Sequence, residues 1–483
     1  MVRIVDLSQR IKTGMPAWAE MGGMFGLART IVEVWEDYED TAYLRTHGAV
    51  EQLYRTCHVV MSDNGGTHVD GTYHINPLGE RIADVSLKPF CADAVVLDLS
   101  DLKPLKYDPF KRQVLETDWI TPQALDDACA RAGQTIRRGD VVLIRTGASR
   151  LWPRREYHYH FVPMRVEAVD WLIDRGVVLF GFDQITLDII PNYDLPHMHM
   201  RKRYSMHMEN LTNLDQIGAS RFRFVGFPLK WEGAPCSPLR CFAVTGDDWG
   251  TSPRFLDLTH TIPATPSWAA GAKHSRAVVA PWSNIFQTKL AAHSLLSFND
   301  HVSTHIDAPA HFKPGGTTID RMPPELFVGA EAVWLDLSGK APGEAVLPAD
   351  LERACAAAGE AVKPGDVVFL YTGVCRHWGE PGYHTTIVPL HPDAIRWFLD
   401  RGVRVIGVDE DEFDADQIRW PAHQLFREHE FYVIENLALW PAILELPRRF
   451  RVVAAPLAIE GGTAAPCRVV ALVRSETTKE DER

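Results

Sequence analysis

His301-Val-Ser-Thr-His305-Ile-Asp307-Ala-Pro-Ala-His311 places three imidazoles and a carboxylate within eleven residues. A degenerate copy, Asn64-Gly-Gly-Thr-His68-Val-Asp70-Gly-Thr-Tyr-His74, lies earlier in the same chain. Imidazole and carboxylate are the ligands that borderline divalent ions such as zinc and manganese prefer. His305 and Asp307, two apart, face one side of an extended segment, whereas His301 and His305, four apart, need a turn to converge. A loop running into a strand satisfies both. Buried imidazoles and carboxylates are costly unless something meets them, so the pattern points to an ion-binding site rather than to ordinary surface histidines.

The duplication extends well beyond the motif. Val5-Asp-Leu-Ser8 answers to Leu256-Asp-Leu-Thr259, and Ala94-Val-Val-Leu-Asp-Leu-Ser100 to Ala332-Val-Trp-Leu-Asp-Leu-Ser338. Thr121-Pro-Gln-Ala-Leu-Asp-Asp-Ala-Cys129 matches Leu347-Pro-Ala-Asp-Leu-Glu-Arg-Ala-Cys355. Each reads as a helix with Pro at its first position, where the missing N–H costs nothing. Gly139 to Gly147 and Gly365 to Gly373 enclose short β-branched runs, expected as buried strands. A second helix, Val166 to Arg175 or Pro392 to Arg401, stops at Gly176 or Gly402 and leads into strands at 177–181 and 403–407. Helix and strand alternate, which argues for an α/β domain built twice. The expected domains are residues 1–245, with the degenerate motif, and 256–473, with the intact one. A turn-rich linker at 246–255 joins them, and a polar tail at 474–483 has too little apolar content to pack.

Composition narrows the partners. With 46% hydrophobic and 23% charged residues the chain has a globular protein's balance, and no eighteen-residue apolar run or signal peptide is apparent. A cytoplasmic location is expected. The net charge of −13 disfavours nucleic acid and anionic membrane, leaving a small molecule as the expected ligand. The eight cysteines form no CxxC pair and read as reduced, buried thiols rather than disulfides or zinc ligands.

The repeat also exposes His423 and Glu435 in the second half against His197 and Glu209 in the first, each pair twelve apart and each Glu followed by Asn-Leu. With these residues in view, the chain resembles the cyclase family of metal-dependent hydrolases, typified by bacterial kynurenine formamidase and isatin hydrolase. Its signature is HxGTHxDxPxH followed by a His and a Glu. The resemblance implies an α/β fold of two tandem swivelling β/β/α domains forming an internal pseudo-dimer, with further homo-oligomerisation left open. It implies that His301, His305 and Asp307 hold one ion and that Asp307, His423 and Glu435 hold a second. His68, Asp70, His197 and Glu209 correspond in the first half. His311, and His74 at the matching place, are similar to the family's catalytic histidine. The implied cofactor is zinc or manganese, two ions in the second half.

Two departures stand out. Ser303 replaces the signature Gly, and in the first half Asn64 replaces the first His and Thr72 the Pro. An amide oxygen is a weak ligand beside imidazole, so the first half should hold an ion more weakly, hold one instead of two, or hold none. Trp18, Trp268, His158 and His384 are candidate pocket residues; the Met/His stretch from His197 to Met208 reads as a local helix face.

The expected activity is metal-assisted hydrolysis of a small amide, formamide or cyclic amide or imide, with His311 as general base. No GxSxG elbow, Walker loop or GxGxxG turn competes with it. The alternatives are a metal-dependent cyclase, dehydratase or isomerase acting on a carbonyl compound, and a non-catalytic binding scaffold whose metal is structural.

Overall fold

The computed structural model describes residues 2–16, 29–40, 54–108, 113–188, 196–246, 253–265, 277–288, 291–414 and 420–474. Trp18, Trp268, most of the expected linker and nearly all of the expected tail lie outside these residues. The chain divides into two compact units whose membership crosses the sequence halves. One comprises Met1–Ile31, Val60–Asp247 and Val279–Leu296; the other comprises Val32–Val59, Asp248–Val278 and Ser297–Arg483. Each unit thus contains one segment from the opposite half.

Both units are mixed α/β. In the first, four parallel strands run in the order Cys91–Asp98, Val141–Arg145, Leu179–Phe182 and Met206–Glu209. Arg221–Val225, Phe242–Thr245 and Arg3–Asp6 extend one edge antiparallel; His68–Asp70 and Cys236–Pro238 extend the other. The second unit repeats the parallel core with Val328–Asp336, Val367–Tyr371, Val405–Val408 and Tyr432–Glu435. Its long strand Ala464–Val473 pairs with both His305–Asp307 and Arg449–Pro456, closing the sheet on itself.

The expected helices form where Pro and Gly set their ends. Pro122–Ala132 is capped by Thr121, whose side chain accepts the Ala124 N–H at 3.1 Å, and stops at left-handed Gly133. Pro348–Ala358 ends likewise at Gly359, and the Asp350 carboxylate accepts the Leu347 N–H at its start. Leu125 and Ala128, with Ala168, Val169 and Leu172 of Val166–Asp174, bury one helix face against Val95, Leu97, Val142 and Ile144. Leu351, Ile395 and Phe398 do the same against Val333, Leu335, Val368 and Leu370. A fully buried Leu or Phe contributes about 1.5–3 kcal/mol relative to exposure, so these layers hold the strands whose ends carry the site. Gly407 shows how close the packing is: a Cβ there would lie 2.6 Å from Leu437 and 2.7 Å from Phe369.

Candidate metal centre

In the second unit the three-residue strand His305–Asp307 lies between Tyr432–Glu435 and Ala464–Val473. Strand alternation turns Ile306 into the core and sends His305 and Asp307 to the opposite face together. The register sets His305 opposite Glu435, and their Nε2 and Oε2 atoms stand 3.5 Å apart. Ser303 supplies the turn that brings His301 alongside. Its φ of 54° is left-handed, as is the φ of 66° at its counterpart Gly66, which explains the signature Gly at this place. His301 Nε2 and His305 Nε2 each lie 3.3 Å from Asp307 Oδ1. His311 follows on the short turn Pro309–His311.

Every imidazole is aimed by its other nitrogen. His305 Nδ1 meets the Ser303 carbonyl at 2.9 Å, His311 Nδ1 the Arg55 carbonyl at 2.7 Å, His301 Nδ1 Asp300 at 2.8 Å and His423 Nδ1 Asp414 at 2.5 Å. Partners of this kind fix the tautomer and ring orientation of a histidine that offers its other nitrogen to an ion or a proton. Candidate ligand atoms gather within 4.8 Å as His301, Asp307 and His311, and as His305, Asp307 and Glu435; His423 falls in a neighbouring group with Glu412 and Asp414. His305 Nε2 and Asp307 Oδ1 are buried and have no hydrogen-bond partner. Such orphaned atoms are costly, and a divalent cation satisfies them. The donor set fits a borderline ion.

The electrostatics agree. Burial opposes a charge on His301, but Asp300 and Asp307 outweigh it and lift the ring to about 9. His311 is pulled down to about 3 by burial and by the neighbouring His301 charge, so it is neutral. Glu435 is pushed well above the usual carboxylate range by burial and by Asp307, while Asp307, though buried, is held low by His301 and His311. Asp414, Glu412 and Asp307 keep His423 above its ordinary value despite burial.

The first unit builds the same frame. His68 Nδ1 meets the Gly66 carbonyl at 2.9 Å, His74 Nδ1 the Ala292 carbonyl at 2.8 Å, and His197 Nδ1 Asp188 at 2.8 Å. His68 stands opposite Glu209, and Nε2 lies 3.3 Å from Asp70 and 3.6 Å from Glu209. Asn64 brings no imidazole: its Oδ1 accepts the Ser62 hydroxyl at 2.6 Å.

Of the pocket candidates, His384 Nδ1 contacts Asp411 at 3.0 Å, and Asp411 in turn accepts from Asn436. His158 instead turns to the Arg155 carbonyl, and Ile185 stands where Asp411 would be. The Asn after each Glu is a lock missed in the sequence. Asn436 bonds the Ser303 carbonyl and the Tyr383 hydroxyl, and Asn210 the Gly66 carbonyl and the Tyr157 hydroxyl. Asp188 and Asp414, which orient His197 and His423, were legible as another pair at the constant offset.

Two readings need correction. The stretch from His197 to Met208 is not one helix face: Pro196–Met200 is helical, but Met206–Glu209 is a strand that carries His207 into the cluster with Asp70, His197 and Glu209. All eight cysteines are free as expected, but Cys129 and Cys355 are only half-buried; Cys236, which is buried, stands in a ligand-type group with Asp70 and His74, its Sγ 3.2 Å from His74 Nδ1. Among the described residues no helix is long and apolar enough to cross a membrane.

A family profile described as a putative cyclase matches residues 5–189 and 256–415. The chain is 32% identical over 184 residues to the kynurenine formamidase of Salinibacter ruber (strain DSM 13855 / M31), covering 36% of this chain and 77% of that protein. It is 31% identical over 180 residues to the kynurenine formamidase of Paracidovorax citrulli (strain AAC00-1), covering 37% and 78%. Isatin hydrolase A from Ralstonia solanacearum aligns with 27% identity and a TM-score of 0.40 over 46% of this chain and 92% of its own. With its motif present twice and the profile matched in both halves, the chain belongs to the cyclase family.

Proposed function

We propose that the second unit hydrolyses a small amide, formamide or cyclic amide or imide with the help of zinc or manganese. The observation that carries this reading is the buried, partnerless pair His305 Nε2 and Asp307 Oδ1, set beside a neutral His311. His301, His305 and Asp307 would hold one ion; Asp307, His423 and Glu435 a second. A divalent ion held there would supply Lewis acidity toward a carbonyl and would lower the pKa of a water molecule from about 15.7 to about 7. His311 donates Nδ1–H to the Arg55 carbonyl, which leaves the Nε2 lone pair to accept the attacking water's proton and return it to the leaving nitrogen. Tyr54, 6.0 Å from the His311 ring and edge-on to Trp420 at 5.8 Å, supplies aromatic surface for an aryl amide. The kynurenine formamidase relatives support the same substrate class. The swivelling β/β/α plan and a pseudo-dimeric pairing of the halves belong to this proposal too, supported by the duplication.

Elemental analysis of protein grown in metal-replete medium, with a hydrolysis screen over N-formyl-kynurenine, isatin, cyclic imides and lactones, tests the reading. Bound transition metal and chelator-sensitive turnover are expected. Turnover that persists in protein with no bound metal overturns it.

A further inference from the structure

His207 has no counterpart in the second half. Strand register places it opposite Asp70, as Val433 lies opposite Asp307. Two residues from Glu209 on the same strand, it shares that residue's face. His207 is 1% exposed, and neither ring nitrogen has a hydrogen-bond partner. Nε2 lies 3.3 Å from Asp70 Oδ2 and 3.4 Å from Glu209 Oε1, and His197 Nε2 lies 3.8 Å from the same Asp70 oxygen. Phe180 and Phe182 pack on the ring and fix it, and its centroid is 4.7 Å from that of His197.

These separations resemble the edges of a coordination tetrahedron. Bonds of about 2.0–2.1 Å imply ligand-to-ligand edges of about 3.3–3.4 Å. Two imidazole nitrogens and two carboxylate oxygens suit a borderline divalent ion. The neighbouring position has meanwhile lost its imidazole, because Asn64 turns to Ser62.

We propose that the first unit holds a single divalent ion in a closed four-side-chain site of Asp70, His197, His207 and Glu209, a structural centre in place of a hydrolytic one. A structural zinc site fills four positions with protein, whereas a catalytic one keeps a position open. His207 fills the position that Val433 leaves vacant in the second unit. The first half has therefore changed its use of an ion rather than merely weakened its hold on one.

Cobalt is the probe, because four-coordinate Co²⁺ absorbs strongly in the visible and six-coordinate Co²⁺ weakly. Full-length protein carrying His305→Ala and His423→Ala, to silence the second centre, is stripped with chelator and titrated. One Co²⁺ per chain with the strong band is expected, together with a rise in melting temperature on loading. Adding His207→Val should weaken binding by more than about 100-fold, since loss of even an outer-shell partner costs about 10–100-fold, and should replace the strong band with the weak one. Equal affinity and spectrum with and without His207, or no cobalt bound, overturns the proposal. If circular dichroism shows that His207→Val does not fold, Val433→His in a chain carrying His68→Ala and His197→Ala decides. A strong band gained there supports the proposal, and an unchanged spectrum overturns it. Neither readout uses turnover, so failure of the hydrolase reading is registered separately.

Discussion

With His301 as a ligand, as proposed, loading the second centre with an ion expels a proton from its ring, which gives ion affinity a definite pH dependence. In the ion-free protein burial disfavours charge on this ring. Asp300, 2.8 Å from Nδ1, and Asp307, 3.3 Å from Nε2, outweigh it and lift the ring to about 9. Only the deprotonated imidazole binds an ion. At pH 7, two units below that value, proton competition weakens binding by about 10²-fold, or about 2.7 kcal/mol at 1.36 kcal/mol per unit. Because the folded value lies above the ordinary one near about 6.5, the charged ring stabilises the ion-free fold fully below about pH 6.5, and that contribution is lost as pH rises through about 9. Ion binding shows the opposite trend, tightening tenfold per pH unit from 7 to 9 through His301 and levelling above.

Zinc affinity measured against a competing chelator from pH 6.5 to 9.5 tests this. His423 is also held above its ordinary value and adds a proton of its own at the lower end. The diagnostic quantity is therefore the difference made by His301→Asn, which copies the residue at position 64. That variant should lose one ion per chain and one proton of linkage. Affinity independent of pH between 7 and 9 in the parent protein, or a slope that His301→Asn leaves undiminished, refutes the reasoning.

His311→Ala should lower the hydrolytic rate by roughly 10²–10⁴-fold, the usual share of a positioned base, with metal content unchanged by elemental analysis; loss of metal would make His311 a ligand. His305→Ala should abolish turnover in the hydrolysis screen while His68→Ala retains most of it, and equal losses would mean two working centres. Ser303→Gly should leave stability within about 1 kcal/mol of the parent in a denaturant titration, because relief of the left-handed backbone, roughly 1–2 kcal/mol for a non-glycine, is offset by glycine's unfolded-state freedom and by loss of the Ser303 hydroxyl's bond to the His260 carbonyl; a loss of more than about 2 kcal/mol would show that the backbone carries no strain there. A fragment spanning residues 253–483 lacks the Arg55 carbonyl that anchors His311, and should show no turnover until residues 32–59 are restored on the same chain.

Much of the fold was legible because local punctuation and the repeat agreed. Pro122 and Pro348 open their helices, Gly133 and Gly359 close them, and the offset carried each strand from one half to the other. The motif histidines were legible because alternation along a three-residue strand needs no tertiary information. The exchange of Val32–Val59 and Val279–Leu296 was not legible, since a strand's pattern says that it pairs and not with which half. His207 was missed for a related reason. Searching for positions present in both halves finds what the duplication preserved and passes over what one half gained. Alternation from Glu209 alone would have found it.

The exchanged segments also explain how one half's motif can erode without harm to the other half's centre. Within the second unit, Arg55 N–H donates to the His311 carbonyl at 2.9 Å, and the Arg55 carbonyl accepts from His311 Nδ1. Cys57 N–H donates to Asp300 Oδ1, and the Asp300 N–H donates to the Cys57 carbonyl. Thr463 Oγ1 holds Asp300 Oδ2 at 2.8 Å. First-half backbone thus holds both His311 and the Asp300 carboxylate that meets His301 Nδ1. In the first unit the Ala292 carbonyl does the same for His74. Backbone groups provide this support whatever side chains the donor segment carries. Asn64 can therefore replace an imidazole in its own centre at no cost to the other, while the segment before it stays indispensable. The two halves are independent in their ligand-type side chains and dependent in their frames, and that combination leaves one copy of the site free to diverge while the other keeps its geometry.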